Sequence, residues 1–132
     1  MPTITRYFIK AAMLYFGLGL LTGFLVSAQP LFNLPRVLLA MTPTYLHMLV
    51  VGWITQLIIG IAYWMFPKFS KEAPRGDERV GWAIFILLNV GLILRIIGEP
   101  FNIGWMLPIS AVLQLFAIWM FIIVVWPRVK ER

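Results

Sequence analysis

The chain contains no cysteine and only one histidine, His47, among its 132 residues. The absence of thiols excludes disulfide bonds, thiol nucleophiles and thiolate metal sites. Acidic residues are also scarce, five in all, and the sequence shows no carboxylate pair, nucleophile triad or phosphate-binding glycine loop. Hydrolase and kinase chemistry therefore has no candidate residues, and we predict no catalytic residue.

Apolar runs dominate what remains. Hydrophobic residues make up 61% of the chain and charged residues 12%, with a mean hydropathy of +0.90. A soluble domain of this size cannot bury so much apolar surface, so lipid is the expected solvent. Because the runs are apolar on every face and do not alternate, they predict helices and not β-strands. Four runs have the roughly 20 residues that a membrane span requires: Phe8–Ala28, Tyr45–Phe66, Val80–Gly98 and Trp105–Trp126.

These runs predict an all-α membrane protein, a single domain over residues 1–132 built as a four-transmembrane-helix bundle. Of eleven lysines and arginines, only Arg36 and Arg95 fall towards one side of such a bundle. The others lie in the two terminal segments and in the loop between helices two and three. The positive-inside rule then predicts cytoplasmic N- and C-termini in the inner (cytoplasmic) membrane. The net charge of +6 reflects this topology, and no nucleic-acid partner is expected.

Two further patterns concern packing. Gly19, Gly23 and Ser27 recur at four-residue spacing on the first helix. Small residues on one stripe let backbones approach closely in lipid, so this stripe is predicted to be a packing face, within the chain or between chains. The connection over residues 29–42 is interrupted by Pro30 and Pro35 and is predicted to lie along the outer interface as a short amphipathic piece.

The second helix carries the most information. On a helical wheel, one face collects two phenols, two glycines and an amide, and is predicted to face protein: Tyr45, Gly52, Gln56, Gly60 and Tyr63. His47 lies on another stripe, which is aliphatic below the imidazole: Val51, Ile54, Ile58, Ile61 and Met65. That stripe either faces lipid, with His47 reaching the headgroups, or it is the wall of a flat apolar pocket with His47 as a ligand at its top.

Three ionisable side chains share the predicted membrane level of His47. Arg95 and Glu99 end the third helix one turn apart, and Arg36 lies in the connection before the second helix. One interpretation is an i,i+4 ion pair between Arg95 and Glu99 at the surface. The other is that Arg95 and Arg36 supply guanidinium groups to the propionates of a haem lying along the aliphatic stripe.

At this point a family resemblance can be stated. The stretch Tyr45-Leu46-His47-Met48, followed by Gly52-Trp53 and ending in Tyr63-Trp64-Met65-Phe66-Pro67, resembles the second helix of subunit I of the haem–copper oxygen and nitric oxide reductases and of their short haem-binding relatives. Those helices carry histidines near the outer end, often as His-x-His, then a Gly-Trp pair and a Tyr…Pro exit. The resemblance covers residues 45–67; the remainder shares only hydropathy and topology.

The resemblance implies a fold and a cofactor. Subunit I of that superfamily has three four-helix arcs, each with ligating histidines on its second helix, so this chain resembles one arc. It implies a homo-oligomer, a trimer or dimer, that binds haem b through His47, with Arg95, Arg36, Tyr45 and Met48 as further cofactor contacts. Respiratory electron carriers are the implied partners besides the lipid bilayer. Tyr45 stands where the family has its first histidine, so no copper and no oxygen reductase chemistry are expected.

Three functions remain open. The first is a b-type haem protein for electron transfer or for O2 or NO binding, whose sixth iron ligand is a second subunit's His47, a methionine such as Met48 or Met106, water or a gas. The second is a haem-free structural or accessory subunit of a respiratory membrane complex. The third and weaker one is a small transporter whose polar path is lined by three amides, Gln56, Asn89 and Gln114.

The predicted topology can be tested by cysteine labelling, since the natural chain has no thiol. Asn102→Cys should react with a membrane-impermeant maleimide in intact cells or spheroplasts. Ser70→Cys should react only after the membrane is permeabilised, because its loop is predicted to be cytoplasmic. The wild-type chain is the unlabelled control, and the reverse labelling pattern would contradict the predicted orientation.

Overall fold

The computed structural model of the protein describes residues 1–67 and 77–129. Regular structure within these ranges is entirely helical, in four segments long and apolar enough to cross a membrane: Thr3–Phe32, Arg36–Met65, Glu78–Gly98 and Met106–Arg128. The all-α prediction is confirmed, and the chain is a multi-pass membrane protein. Five of the basic residues used to predict orientation lie outside the described residues: Lys68, Lys71, Arg75, Lys130 and Arg132.

Three of the spans each contain one long α-helix, and the second span is composite. The first span is α1 (Thr3–Phe32), the third is α4 (Glu78–Gly98), and the fourth is α5 (Met106–Val125) followed by a short 3₁₀ turn. The second span joins four pieces end to end: a 3₁₀ segment (Arg36–Met41), α2 (Thr42–His47), a π-helical segment (Met48–Thr55) and α3 (Gln56–Met65).

The connection between the first two spans is shorter than predicted. α1 continues through Pro30 to Phe32, and Asn33 ends it in the left-handed conformation (φ 50°), with its N–H bonded to the carbonyl of Gln29. The Gln29 side chain donates a second hydrogen bond, 3.0 Å long, to the carbonyl of Leu34. Only residues 33–35 of the predicted connection over residues 29–42 lie outside a helix, and these local bonds satisfy the end of α1.

Glycines bring α1 and the second span into close contact. A Cβ placed on Gly52 would lie 2.7 Å from Cγ of Tyr15, and one on Gly60 would lie 2.6 Å from Cβ of Phe8. The predicted stripe on α1 also packs within the chain, because Gly19 faces Leu49 and Gly23 faces the ring of Tyr45, while Ser27 is exposed. The predicted protein-facing side of the second helix is confirmed: its two glycines, Gln56 and Tyr63 are buried, and Tyr45 is half-buried against α1.

Two apolar clusters fill the bundle. The larger one combines residues of all four spans: Ile4, Phe8, Ile59, Tyr63, Ile84, Leu88 and Ala117. The smaller one contains Tyr15, Met48 and Leu92. We name the two ends of the bundle after a residue at each: the Arg128 end contains Ile4, Tyr63 and Arg128, and the His47 end contains Thr44, His47 and Glu99.

A buried arginine closes the Arg128 end. The Arg128 side chain is 1% exposed and donates hydrogen bonds to the carbonyls of Tyr63 (3.0 Å), Phe66 (2.9 Å) and Pro67 (3.0 Å). These are carbonyls at and just after the end of α3, which have no partner within that helix. A positive charge at a helix C-terminus is also electrostatically favourable. The sequence indicated Arg128 only as one of the basic residues that predict orientation. In the structure its hydrogen bonds connect the fourth span to the second.

The packing of glycine against α1 yields a stability prediction. Gly60→Ala should destabilise the bundle by about 1–3 kcal/mol, because its methyl group would overlap Phe8 and force the helices apart. Gly17→Ala is the matched control: nothing lies within 4 Å of its added Cβ, and alanine favours the helix by about 1 kcal/mol. Thermal unfolding in detergent checks both variants, and equal midpoints for the two would contradict the described helix contact.

Candidate functional site

The second span changes helix type immediately after His47. Met48–Thr55 is π-helical, a form that is rare and often found at functional sites. The helical wheel still orders most of this span correctly, since Gly52, Gln56 and Tyr63 are buried as it predicts, but one residue of the aliphatic stripe departs from it. That residue is Val51, which in the structure is half-buried and packs against both apolar clusters.

The imidazole of His47 has one nitrogen held and one available. Nδ1 lies 2.8 Å from the backbone carbonyl of Pro43, one helical turn earlier. A carbonyl can only accept, so in the neutral imidazole this bond places the proton on Nδ1 and leaves the lone pair on Nε2. Among the described residues none hydrogen-bonds to Nε2, and 32% of the side chain is exposed. Nε2 is therefore positioned as an acceptor or a metal ligand.

The ring opens onto an apolar surface of the bundle. His47 lines a shallow groove of about 200 Å³ together with Leu46, Val50 and Val51. Further along the same span a second shallow groove, of about 480 Å³, is lined by Ile58, Ile61, Ala62, Met65 and Phe66. Val50, Ile54 and Ile58 are 52%, 45% and 57% exposed. We call this strip, from Leu46 to Met65, the open apolar face; no other described helix of the chain covers it.

A buried carboxylate lies on the other side of the imidazole. The Glu99 side chain is 7% exposed, and its Oε1 is 3.7 Å from Nδ1 of His47 and 2.9 Å from Nη1 of Arg95. Its Oε2 accepts a hydrogen bond of 2.7 Å from Oγ1 of Thr44. The predicted ion pair between Arg95 and Glu99 is thus present, but it is buried between helices and not at the surface.

The contacts continue into α5. Nε of Arg95 is 3.4 Å from Oγ of Ser110, which donates to the carbonyl of Gly91 (2.6 Å) and accepts from Nε2 of Gln114 (3.0 Å). We call the set the Glu99 network: Thr44, His47, Arg95, Glu99, Ser110 and Gln114. It joins the second, third and fourth spans at the His47 end. Thr44 and Ser110 were not predicted; their only signal was a hydroxyl within an apolar run, which pairing across helices explains.

The other predicted contacts of the cofactor lie elsewhere. Met48 is 3% exposed and belongs to the core with Tyr15 and Leu92, while Tyr45 packs against α1. Arg36 is exposed at the start of the 3₁₀ segment, about 20 Å from His47 along the span at the usual helix rise. The structure therefore brings Arg95 towards His47, through Glu99, and does not bring Tyr45, Met48 or Arg36 to the exposed edge of its ring.

The three amides suggested for a transport path do not form one line. Nε2 of Gln56 is 3.5 Å from Oδ1 of Asn89, whereas Gln114 belongs to the Glu99 network. Gln114 packs beside Gly91 of α4, and no hydrogen bond among the described residues joins it to Gln56 or Asn89. Within the described residues, Oε1 of Gln56 is buried without a hydrogen-bond partner. This geometry fits two separate interhelical contacts better than a continuous polar path.

Comparison with known proteins adds no relative. No protein-family model matches the chain, and neither the curated proteins nor the solved structures include a significant match. The likeness of residues 45–67 to a haem-binding helix therefore stays a hypothesis based on the motif.

The buried ion pair yields a prediction for this site. Arg95→Met should destabilise the bundle by about 3 kcal/mol, because it leaves the Glu99 carboxylate buried without its cation. Arg79→Met, on the exposed first turn of the same helix, should change stability by less than about 0.5 kcal/mol. Unfolding midpoints in detergent measure both, and an Arg95→Met protein as stable as wild type would show that the pair does not support the fold.

Proposed function

We propose that the protein binds haem b, with Nε2 of His47 as an axial ligand of the iron. The observation that carries this proposal is the orientation of the ring. Nδ1 donates to the carbonyl of Pro43, so the neutral ring keeps the lone pair of Nε2 for a metal, and the residue lines an apolar groove. Metal-ligating histidines almost always use their second nitrogen in this way, to donate to a carbonyl, a carboxylate or water.

The supply of ligands favours a metal carried by a macrocycle over a free ion. Among the described residues no group of three or more histidine, aspartate or glutamate side chains could hold a metal ion. A protein-bound zinc ion takes three or four such ligands, whereas haem iron needs one or two axial ligands from the protein. A chain with a single histidine and no cysteine meets the smaller requirement.

The surface next to His47 suits a flat apolar ligand. The exposed aliphatic side chains of the open apolar face would contact one side of the macrocycle. Its other side would need a second cover, which a second copy of the chain would supply in a homo-oligomer, together with a second His47 as the sixth ligand. This arrangement would lie in the cytoplasmic membrane, with the termini in the cytoplasm as the charge distribution predicts.

The haem propionates have fewer suitable partners on this surface than the macrocycle has. Arg95 already contacts Glu99 and Ser110, so its pairing with a propionate would have to share the guanidinium. Arg36 has no side-chain hydrogen bond or ion pair within the described residues, but its backbone lies about 20 Å from His47 along the span. Haem, when bound, supplies one-electron and gas-binding chemistry; the chain would contribute a neutral imidazole and an apolar surface. A filled sixth position would favour electron transfer, and an open one would favour binding of O2 or NO.

A second function, a haem-free accessory subunit of a respiratory membrane complex, is favoured by one observation. The open apolar face could pack against helices of another subunit, and His47 already has a structural place beside Glu99 in the Glu99 network. In that case the imidazole would serve the packing of the His47 end and would bind no cofactor.

Absorption spectroscopy separates the two functions. The protein purified in detergent should show a Soret band and a reduced α-band that His47→Ala abolishes. Leu14→Ala is the control, because Leu14 is 61% exposed on α1 and lines neither groove of the open apolar face, and it should keep the pigment. Added imidazole should restore a haem spectrum to His47→Gly. A colourless wild-type protein that takes up no haem would favour the accessory subunit and contradict our proposal.

A further inference from the structure

A carboxylate buried behind the proposed ligand has a consequence for the ligand itself. We infer that Glu99 is a positioning residue for His47, which orients the imidazole and strengthens its Nε2 as an electron donor to the metal. This inference rests on the proposed function. The geometry that supports it is the contact of 3.7 Å between Oε1 of Glu99 and Nδ1 of His47, on the edge of the ring opposite the proposed metal.

Specific contacts to both carboxylate oxygens fix the position of Glu99. Its two carboxylate oxygens have different partners: Oε2 accepts from Thr44, a fully buried hydroxyl of α2, while Oε1 pairs with Arg95 and faces the imidazole. Thr44 lies one turn before His47 on the same helix, so its hydrogen bond fixes the carboxylate relative to the ring. A buried carboxylate is costly unless it is fully paired, and here three side chains from two spans surround it.

The charge at this position acts through the imidazole. Nδ1–H donates to the carbonyl of Pro43, and the carboxylate 3.7 Å away acts on the ring by its charge alone. Its negative potential polarises the imidazole and makes Nε2 a more basic ligand. A more basic ligand favours the ferric iron over the ferrous iron, because the ferric ion carries the larger charge. Arg95 moderates this effect, since its guanidinium shares Oε1. Within the Glu99 network the charged side chains near the imidazole are Glu99 and Arg95, both at the C-terminal end of α4.

A redox titration of the haem-loaded protein tests the inference. Glu99→Gln keeps the size and an acceptor oxygen of the side chain but removes its charge. It should raise the midpoint potential by about 59 mV, which corresponds to a tenfold shift of the one-electron equilibrium from ferric towards ferrous iron. Haem affinity should fall as well, by up to about tenfold, because the hydrogen bond of Nδ1 to the carbonyl of Pro43 remains.

Control variants separate this role from general damage to the bundle. Glu78→Gln makes the same chemical change on the same helix, at its exposed opposite end, and should leave the potential unchanged. Glu99→Asp retains the charge and should lie closer to wild type than Glu99→Gln does. If Glu99→Gln does not fold, Thr44→Val serves instead. It leaves both charges in place but releases the carboxylate towards Arg95, so a smaller shift of the same sign is expected.

The possible results distinguish this inference from the proposed function. If the wild-type protein binds no haem, both fail. If haem is bound through His47 but Glu99→Gln and Thr44→Val have the wild-type potential, the inference alone is overturned, and Glu99 then serves only to hold the spans together. A shift of equal size in Glu78→Gln would also overturn it, because the effect would then reflect net charge and not the contact with His47.

Discussion

The His47 end depends on one interaction, the buried ion pair between Arg95 and Glu99. A carboxylate cannot remain charged between apolar helices unless its oxygens are paired, and this requirement brings Thr44 of the second span and Arg95 of α4 to the same place. Arg95 in turn contacts Ser110 of α5. Three of the four spans are therefore held in register by the demands of a single acidic side chain, and the position of His47 follows from that arrangement.

The opposite end solves a similar problem with a different group. Arg128 is buried there because the carbonyls at the end of α3 need donors, and its guanidinium supplies several at once. Between the two ends the helices meet through glycine and apolar side chains, with Phe8 and Tyr15 lying against Gly60 and Gly52. Lipid provides no hydrophobic force between helices, so close packing in the middle and buried polar pairing at the ends together specify the bundle.

His47 lies at the boundary between the Glu99 network and the open apolar face. One nitrogen of its ring is engaged by the carbonyl of Pro43, the other has no hydrogen-bond partner among the described residues, and the residue lines a groove of the open apolar face. Val51, within the π-helical segment that begins with the next residue, is half-buried against both apolar clusters and also lines the groove beside the ring. A ligand that is flat, apolar and in need of one imidazole matches that combination, and a second subunit that covers the face is the competing occupant.

Hydropathy alone determined the class of this protein, the number of its spans and their approximate limits, because runs of about 20 apolar residues have few other uses. A helical wheel identified the buried side of the second helix, and composition singled out His47 as the one histidine. Tertiary structure decided the rest. A helical wheel assumes one helix type, so it could not show the π-helical segment or the inward turn of Val51. Nor could the sequence reveal that Glu99 is buried, that Thr44 and Ser110 complete its network, or that Arg128 caps a distant helix. Each of these depends on which helices are neighbours, and contacts between residues far apart in the chain leave no periodic signal within it.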